Sequence, residues 1–413
     1  MVKSKIIILN FIFLLMSSRC FSMVYDNRFI PLFKRPYSKK TEALSRFGAD
    51  FFALSASEGM GEHGTCVEIP GIFGEYCQGN LGKALEKLGC PNPIRDDLQS
   101  RSLPWKIEGK INAQGVSFIL DKSLTENFYF GCSCLLMSVH SQNMFRFNKQ
   151  ESQSFILGDD CLDLNSSRAT MHDMIGICSP NYHQVGFGDI DFYLRVGKVM
   201  DYVCKNRRID LGFSIGCLFP TGCERDINIP SSIPFGGDGH FGLYVHFDSE
   251  FELKEDLKLG ILARISKRIP KEKIQRLPIA KEHLLFGALR APVKVSPGLT
   301  FLFNPYFSWE NLRKGLGIRI GYTINYHDKD TWCDLRSKED KEKTPAQTSK
   351  INNLSSWAYD YVNLNVFYDF GNLKFGRELS PIVTLTWDWP TLWFVGRSVP
   401  RTHKVSLALD LIF

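Results

Sequence analysis

Apolar and polar residues alternate one by one over much of this 413-residue chain. In the closing stretch HKVSLALDLIF, Val405, Leu407, Leu409, Leu411 and Phe413 fall on one side of an extended strand. Lys404, Ser406, Ala408 and Asp410 fall on the other, because successive side chains of a strand point to opposite faces. The segment 189–196 repeats the pattern, with Ile190, Phe192, Leu194 and Val196 opposed to Asp189, Asp191, Tyr193 and Arg195. So does 316–325, where Leu316, Ile318, Ile320, Tyr322 and Ile324 oppose Gly317, Arg319, Gly321, Thr323 and Asn325. In each case one face is apolar enough for lipid and the other carries charge or small polar groups.

Alternation and turn signals predict strands near 48–57, 105–120, 126–139, 187–200, 207–220, 239–253, 256–268, 292–308, 313–327, 356–370, 377–389 and 403–413. Short turns, such as Lys254–Glu255 and Gly371–Asn372, alternate with long connections at 58–104, 140–186, 221–238, 269–291, 328–355 and 390–402. Short periplasmic turns alternating with longer extracellular loops, and a last strand ending on an aromatic, resemble bacterial outer-membrane barrels. A soluble sandwich has no reason to alternate its loop lengths so regularly. The predicted fold is all-β: a transmembrane antiparallel up-and-down β-barrel of about 12 strands with long extracellular loops. An even count places both chain ends on the periplasmic side.

The start of the chain fits export. Lys3 and Lys5 precede the apolar run Ile6–Met16, and small residues follow before a cleavage point between Ser22 and Met23, the layout of a secretory signal peptide. The run is shorter than the roughly 20 residues a spanning helix needs. The division is then 1–22 signal peptide, 23–47 loose periplasmic lead-in and 48–413 barrel. Removing the signal lowers the net charge from +6 to about +3, too small a surplus to argue for nucleic acid. The 32 Phe, 14 Tyr and 7 Trp supply aromatic girdles.

Two regions break the alternation. Residues 58–104 hold a Gly-rich stretch and the helical-looking GNLGKALEKLGC, and form either an inward plug or an outer cap. The charged run 334–350 reads as a mobile loop tip. Of twelve cysteines, Cys66, Cys77, Cys90, Cys161, Cys178, Cys223 and Cys333 fall in loops. Pairs within one loop, Cys66 with Cys77 and Cys161 with Cys178, are the candidate disulfides. Cys132, Cys134 and Cys217 fall in strands as small buried or lipid-facing residues.

Catalytic chemistry has little footing. Ser138, His140, Ser141 and Asn143 stand near the end of the third strand, and a twelve-stranded outer-membrane phospholipase barrel is the enzyme to compare. That family resembles His-x-Ser-Asn, whereas this chain reads His-Ser-Gln-Asn, so the Ser is misplaced and no third group orients the base. His240 and His246, roughly 20 Å apart at strand rise, cannot share a metal unaided. No cofactor, metal or nucleic-acid motif appears.

The segment 185–222, with Gly186–Phe187–Gly188–Asp189 opening one strand and Phe219–Pro220–Thr221–Gly222 closing the next, resembles a hairpin of the phenol-degradation meta-pathway family. Those are outer-membrane barrels related to the FadL-like transporters of hydrophobic substrates. The resemblance covers about a tenth of the chain. It implies passive uptake of small molecules, hydrophobic or aromatic ones among them, through a lumen lined by Asp189, Asp191, Arg195, Arg208, Asp210, His246, Glu250, Arg264, Arg319, Asp388 and Asp410. Asp191 and Asp210 are expected to pair with Arg195 and Arg208. The competing class is a structural or surface-interaction barrel whose interior is packed shut by the same charges. Expected partners are the outer-membrane bilayer, the barrel-assembly machinery through the Phe413 strand, and the solute.

Overall fold

Alternating segments of this kind pair edge to edge, and in the computed structural model of the chain they close into a ring. The structure describes residues 27–32, 45–99, 103–147, 158–201, 207–372 and 380–412. The wall strands are β1 (Arg46–Ala56), β2 (Pro104–Ser123), β3 (Phe128–Phe147), β4 (Ile190–Asp201), β5 (Arg208–Phe219) and β6 (Gly242–Lys254). They continue as β7 (Leu257–Arg268), β8 (Leu299–Arg313), β9 (Leu316–His327), β10 (Trp357–Asp369), β11 (Ser380–Pro390) and β12 (His403–Ile412). Each pairs antiparallel with the next, and β12 pairs with β1 from Arg46↔Ile412 to Ser55↔His403, which closes the barrel. The strand count, order and loop alternation are those expected. Residues 1–22 and the terminal Phe413 lie outside the described residues.

The outward face is apolar around the ring: Phe51, Leu194, Ile215, Val245, Ile265, Ile320 and Leu407 are all exposed. A continuous belt of this kind is stable only in hydrocarbon, and the closed ring leaves no unpaired strand edge there. The chain is a transmembrane β-barrel. Among the described residues no helix is long and apolar enough to cross a membrane. Cys132, Cys134 and Cys217 sit on the outward face as small lipid-side residues. Strands β2 and β3, 20 residues each, are the longest. At about 3.3 Å per residue they stand well above the membrane. Their outward side chains turn polar there, with Lys106 bonded to Glu68 and Arg146 to Glu108.

The outward acidic side chain of Asp360 on β10 is fully buried by the chain excursion 391–395, which folds over the outside of the wall. Its carboxylate accepts bonds from Thr391 Oγ1 and from the amides of Trp393, Phe394 and Val395 at 2.8–3.1 Å. An outward carboxylate in this position is tolerable because every lone pair has a donor.

The long-loop end carries a cap. Helix α1 (Gln78–Lys87) buries Leu81, Ala84 and Leu85, at helical i, i+3, i+4 spacing, against Trp105 and Ile107 of β2 and Leu164 and Met171 of helix α2 (Gly158–Met174). Gln78 fastens the joint, accepting from Trp105 Nε1 and donating to the Leu164 carbonyl. His172 and His283 lie in this cap, and burial pushes them down to about 3 and about 4, so both are neutral. The run 334–350, expected as a mobile tip, is ordered: it includes the short helix Lys338–Lys343 and the start of a second, Thr348–Ser355, and Arg336 clamps Asp334 and Thr344. Local bonds that composition does not reveal overcome its high charge.

Residues 27–32 depart furthest from expectation. A loose lead-in was predicted for 23–47, yet Ile30 and Leu32 are buried inside the upper barrel against Phe52, Leu54, Ile111, Leu135, Met137 and Phe235. Residues 23–26 and 33–44 of that segment lie outside the described residues, and Arg46 and Phe47 already belong to β1.

The belt makes a direct demand on substitution. Leu409→Arg should destabilise the barrel by about 2–4 kcal/mol, and Met144→Arg, outward but above the belt and opposite Glu108, by under about 0.5 kcal/mol. Urea titration read by the heat-dependent gel shift of the folded barrel measures both. Equal losses would place the belt wrongly.

Candidate functional site: the barrel lumen

Inward positions carry the charge, and the structure ties it into layers. At the short-turn end Arg46, 1% exposed, donates to Asp410 at 2.8 Å and lies 3.6 Å from Asp121. Higher up, Arg195 of β4 binds Asp210 of β5 at 3.1 Å and Asp248 of β6. Beside it Lys258 bridges Glu250 and Glu310 at 3.4 and 3.1 Å. Asp191 faces Arg264 at 3.7 Å, and Lys404 holds Asp388 at 2.6 Å with both side chains under 5% exposed. Between these layers runs an uncharged chain: Asn304 donates to Thr323 Oγ1 and Asn363 Oδ1, and Asn363 donates to Asp388.

Aromatic rings fill the space along the wall by a repeated device. Tyr193, Tyr244 and Tyr306 each lie directly across the ladder from an inward glycine, Gly131, Gly216 and Gly260. A Cβ at Gly260 would come within 2.0 Å of Tyr306 Cζ, so the ring rests flat on backbone that only glycine leaves bare. Each hydroxyl then reaches a carboxylate: Tyr193 donates to Asp121, Tyr244 to Asp191 at 2.6 Å, and Tyr306 to Glu250 at 2.9 Å. Arg264 covers Tyr244 with its guanidinium 3.6 Å from the ring centroid. At mid-height a cavity of about 30 Å³ is lined by Asp191, Tyr193, Ser214, Tyr244, His246 and Arg264. That is room for ordered water.

The upper lumen holds residues 27–32, with Ile30 and Leu32 buried in apolar contact with the wall. Asn27 donates to the Pro234 carbonyl, and Arg28 to those of Leu354, Ser355 and Ser398. The segment 27–32 therefore touches the loops at 220–241, 328–356 and 391–402 together.

All eleven proposed lumen residues lie on the inner side of the wall or at its rim, but several have other partners than expected. Asp189 is a rim residue. It breaks the edge along β3, between the short strand Asn181–Phe187 and β4, and its buried carboxylate takes the amides of Gly222 and Gly237 and pairs with Arg268 at 2.9 Å. Asp191 pairs with Arg264, and Arg195 takes Asp210, so the pairing of Asp191 and Asp210 with Arg195 and Arg208 is corrected in part. Arg208 starts β5 opposite Asp201. His246 lies 3.9 Å from Asp248, and Arg319 sits over Tyr306 and Phe367.

The Cys66–Cys77 pair is not joined, and Cys66, Cys77 and Cys178 are free thiols in the structure. Cys66 lies in a small sheet with strand Glu58–Met60, whereas Cys77 lies beside β2 across the turn Ile69–Phe73. The Cys161 side chain lies outside the described residues. Ser138 and His140 point outward above the belt; Ser138 Oγ lies 3.4 Å from His183, and among the described residues no acidic side chain bonds either histidine.

Sequence reading missed Arg46, Asp121, Asp248, Lys258, Glu310 and Lys404 as lumen charges. Most were signalled by strand parity, since they share the inner face with residues already named.

The Arg195 cluster gives a sharp expectation. Arg195→Glu would bring three carboxylates together in a mostly dry site and should cost about 3–5 kcal/mol of barrel stability, whereas Arg195→Lys should cost clearly less. Unfolding midpoints of the two variants in urea, by gel shift, decide it; a fully stable Arg195→Glu barrel would show the cluster to be solvated.

No protein-family model matches the chain, and no curated protein matches it in sequence. Among solved structures it is similar to an outer membrane channel from Pseudomonas putida F1 at 10% identity and TM-score 0.48, over 92% of this chain and 100% of that one. It is similar to a Pseudomonas aeruginosa FadL homologue at 10% identity and TM-score 0.31, over 90% and 89% of the two chains. The translocator domain of the autotransporter NalP from Neisseria meningitidis follows at 8% identity and TM-score 0.37, over 91% and 89%. At these identities no residue role passes from one chain to another.

Proposed function

We propose that the protein is a bacterial outer-membrane channel for passive uptake of small molecules, hydrophobic or aromatic ones among them, and that its own N-terminal segment is the stopper. In this reading a signal peptide at 1–22 directs export, the strand ending at Phe413 guides assembly, and the long loops face outward from the cell. One observation carries it. The upper lumen is filled by residues 27–32, which belong to no wall strand and are held mainly by the apolar contacts of Ile30 and Leu32. A barrel meant to be permanently solid would be filled by wall side chains, as its lower half is. A separable segment is what an opening device requires. At the long-loop end a depression of about 940 Å³, bordered by Lys83, Lys281, Lys350, Glu62 and Glu75, offers solute a place to enter.

The structural alternative, a packed barrel whose loops bind partners, draws its support from the ion pairs of the lumen. Lys404–Asp388, level with Leu54, and Arg46–Asp410, at the short-turn end, place paired charges inside the wall at both heights. In the channel reading these pairs loosen when the stopper leaves, because water entering the lumen weakens each of them.

Removing the stopper separates the readings. Deleting residues 23–44 from the mature chain should convert a mostly silent barrel into one with sustained openings in planar bilayers, and Ile30→Asp should give intermediate, flickering activity. Variants that retain the folded gel mobility yet stay silent would establish the packed alternative.

A further inference from the structure

Beside the stopper, within the cap, lies a cavity of about 100 Å³. That is several times the space one water needs. One side is apolar, formed by Phe73, Leu285, Trp332 and Leu354. The other brings together three arginines from separate parts of the chain: Arg28 of the stopper, Arg225 of loop 220–241, and Arg276 of the hairpin strand Lys271–Leu277.

Asp330 is the one acidic side chain lining this space, and its carboxylate is already engaged by the Gly298 amide at 2.8 Å and His327 at 3.0 Å. Arg276 is saturated by the carbonyls of Ile227, Ile175 and Gly176 and by Asn228 Oδ1. Arg28 makes only long bonds, 3.3–3.4 Å, to three carbonyls. Arg225 is the exception. Its main-chain amide donates to Asp238, but its buried Nε has no hydrogen-bond partner among the described residues. Asp238 itself is taken by Lys273 at 2.8 Å, and Asp226 is exposed and bonded to the Asn228 amide.

The lining thus carries two positive charges in excess, in a place where water is scarce. Burial lowers the Arg225 guanidinium, and lowers Arg28 and Arg276 to about 10, with repulsion from Arg225 contributing to both. Asp330 beside Arg28, and Asp238 and Asp226 beside Arg225, offset part of this charge. Like charges left in excess in a buried place are costly, and guanidinium groups converging on a cavity suit planar or tetrahedral oxyanions.

We propose that this cavity binds a small oxyanion, a carboxylate or phosphate on a compact body, with Arg225 as its main contact and Arg28 joining from the stopper. The apolar side accommodates the remainder of the ligand. Because Arg28 belongs to the stopper and Arg225 to a loop, an occupied site ties the two together. The site does not require that the barrel conduct, so its test is independent of the bilayer measurement.

Isothermal titration of the full-length mature protein in detergent, with inorganic phosphate and with benzoate as separate probes, tests it. At least one probe should bind one-to-one, and Arg225→Gln should weaken it by about tenfold or more, with Arg225→Lys recovering part of the loss. Binding of phosphate alone would assign a free tetrahedral anion, and binding of benzoate alone a carboxylate with an apolar body. Arg28→Gln provides the same test from the other side of the cavity if Arg225→Gln does not fold. Arg146→Gln, outward on β3 and paired with Glu108, should leave affinity unchanged. Absence of binding by both probes, or equal affinity in the wild-type chain and both glutamine variants, would overturn the proposal.

Discussion

Everything in this molecule hangs on the pairing of its first and last wall strands. Inside hydrocarbon an unpaired backbone amide or carbonyl costs several kcal/mol, so a sheet crosses a membrane only when it has no edge. Ten residues of β1, from Arg46 to Ser55, meet ten of β12 in unbroken register. That seam fixes which residues face lipid, because strand parity leaves no choice once the register is set. It also places Arg46 beside Asp410, so the covalently distant ends of the wall are joined by an ion pair as well as by the ladder.

Given the ring, the lumen must dispose of many charges in little space. It does so by pairing them and by laying tyrosines flat over glycines, so that each phenol also serves a carboxylate. The result is a stack of polar layers with room for ordered water. The cost of desolvating these ions is offset only while partners are present, which makes the lower lumen rigid. The upper lumen is different in kind. There the wall offers Phe52, Leu54, Ile111, Leu135 and Met137, and the chain's own residues Ile30 and Leu32 cover them. An apolar wall facing inward would be an odd investment for a purely aqueous pore. It suits both a detachable stopper and solutes that are themselves apolar.

The wall was legible in the sequence because its rule is local. Alternation of the kind seen at Val405, Leu407 and Leu409 survives even where hydropathy averages out, and the twelve strands were found to within a few residues except β3, which runs on to Phe147, and β8, expected at 292–308 but running from Leu299 to Arg313 because 289–296 pairs in a separate small sheet. Asp189 shows where the local rule stops. By parity it looks like the first lumen residue of β4, but its partners are Gly222, Gly237 and Arg268, set by a loop fold that no short window reveals. Residues 27–32 were misjudged for a similar reason. A short irregular stretch with Ile30 and Leu32 among polar neighbours carries no periodic signal, and its burial depends on an apolar patch assembled from β1, β2, β3 and the loop residues Ile233 and Phe235. The Cys66–Cys77 pairing is absent because proximity in sequence says little about sulfur geometry across the turn at 69–73.

The central claim is that the chain stoppers its own barrel from within. Hydrogen–deuterium exchange of the mature protein in vesicles tests this most directly, through peptides that contain residues 27–32. Buried against Phe52 and Phe235, their amides should exchange as slowly as those of the cap helices, and Ile30→Asp should speed them selectively while wall peptides stay protected. Exchange as fast as that of a free peptide in the unaltered protein would contradict the account and return the segment to the status of a loose lead-in.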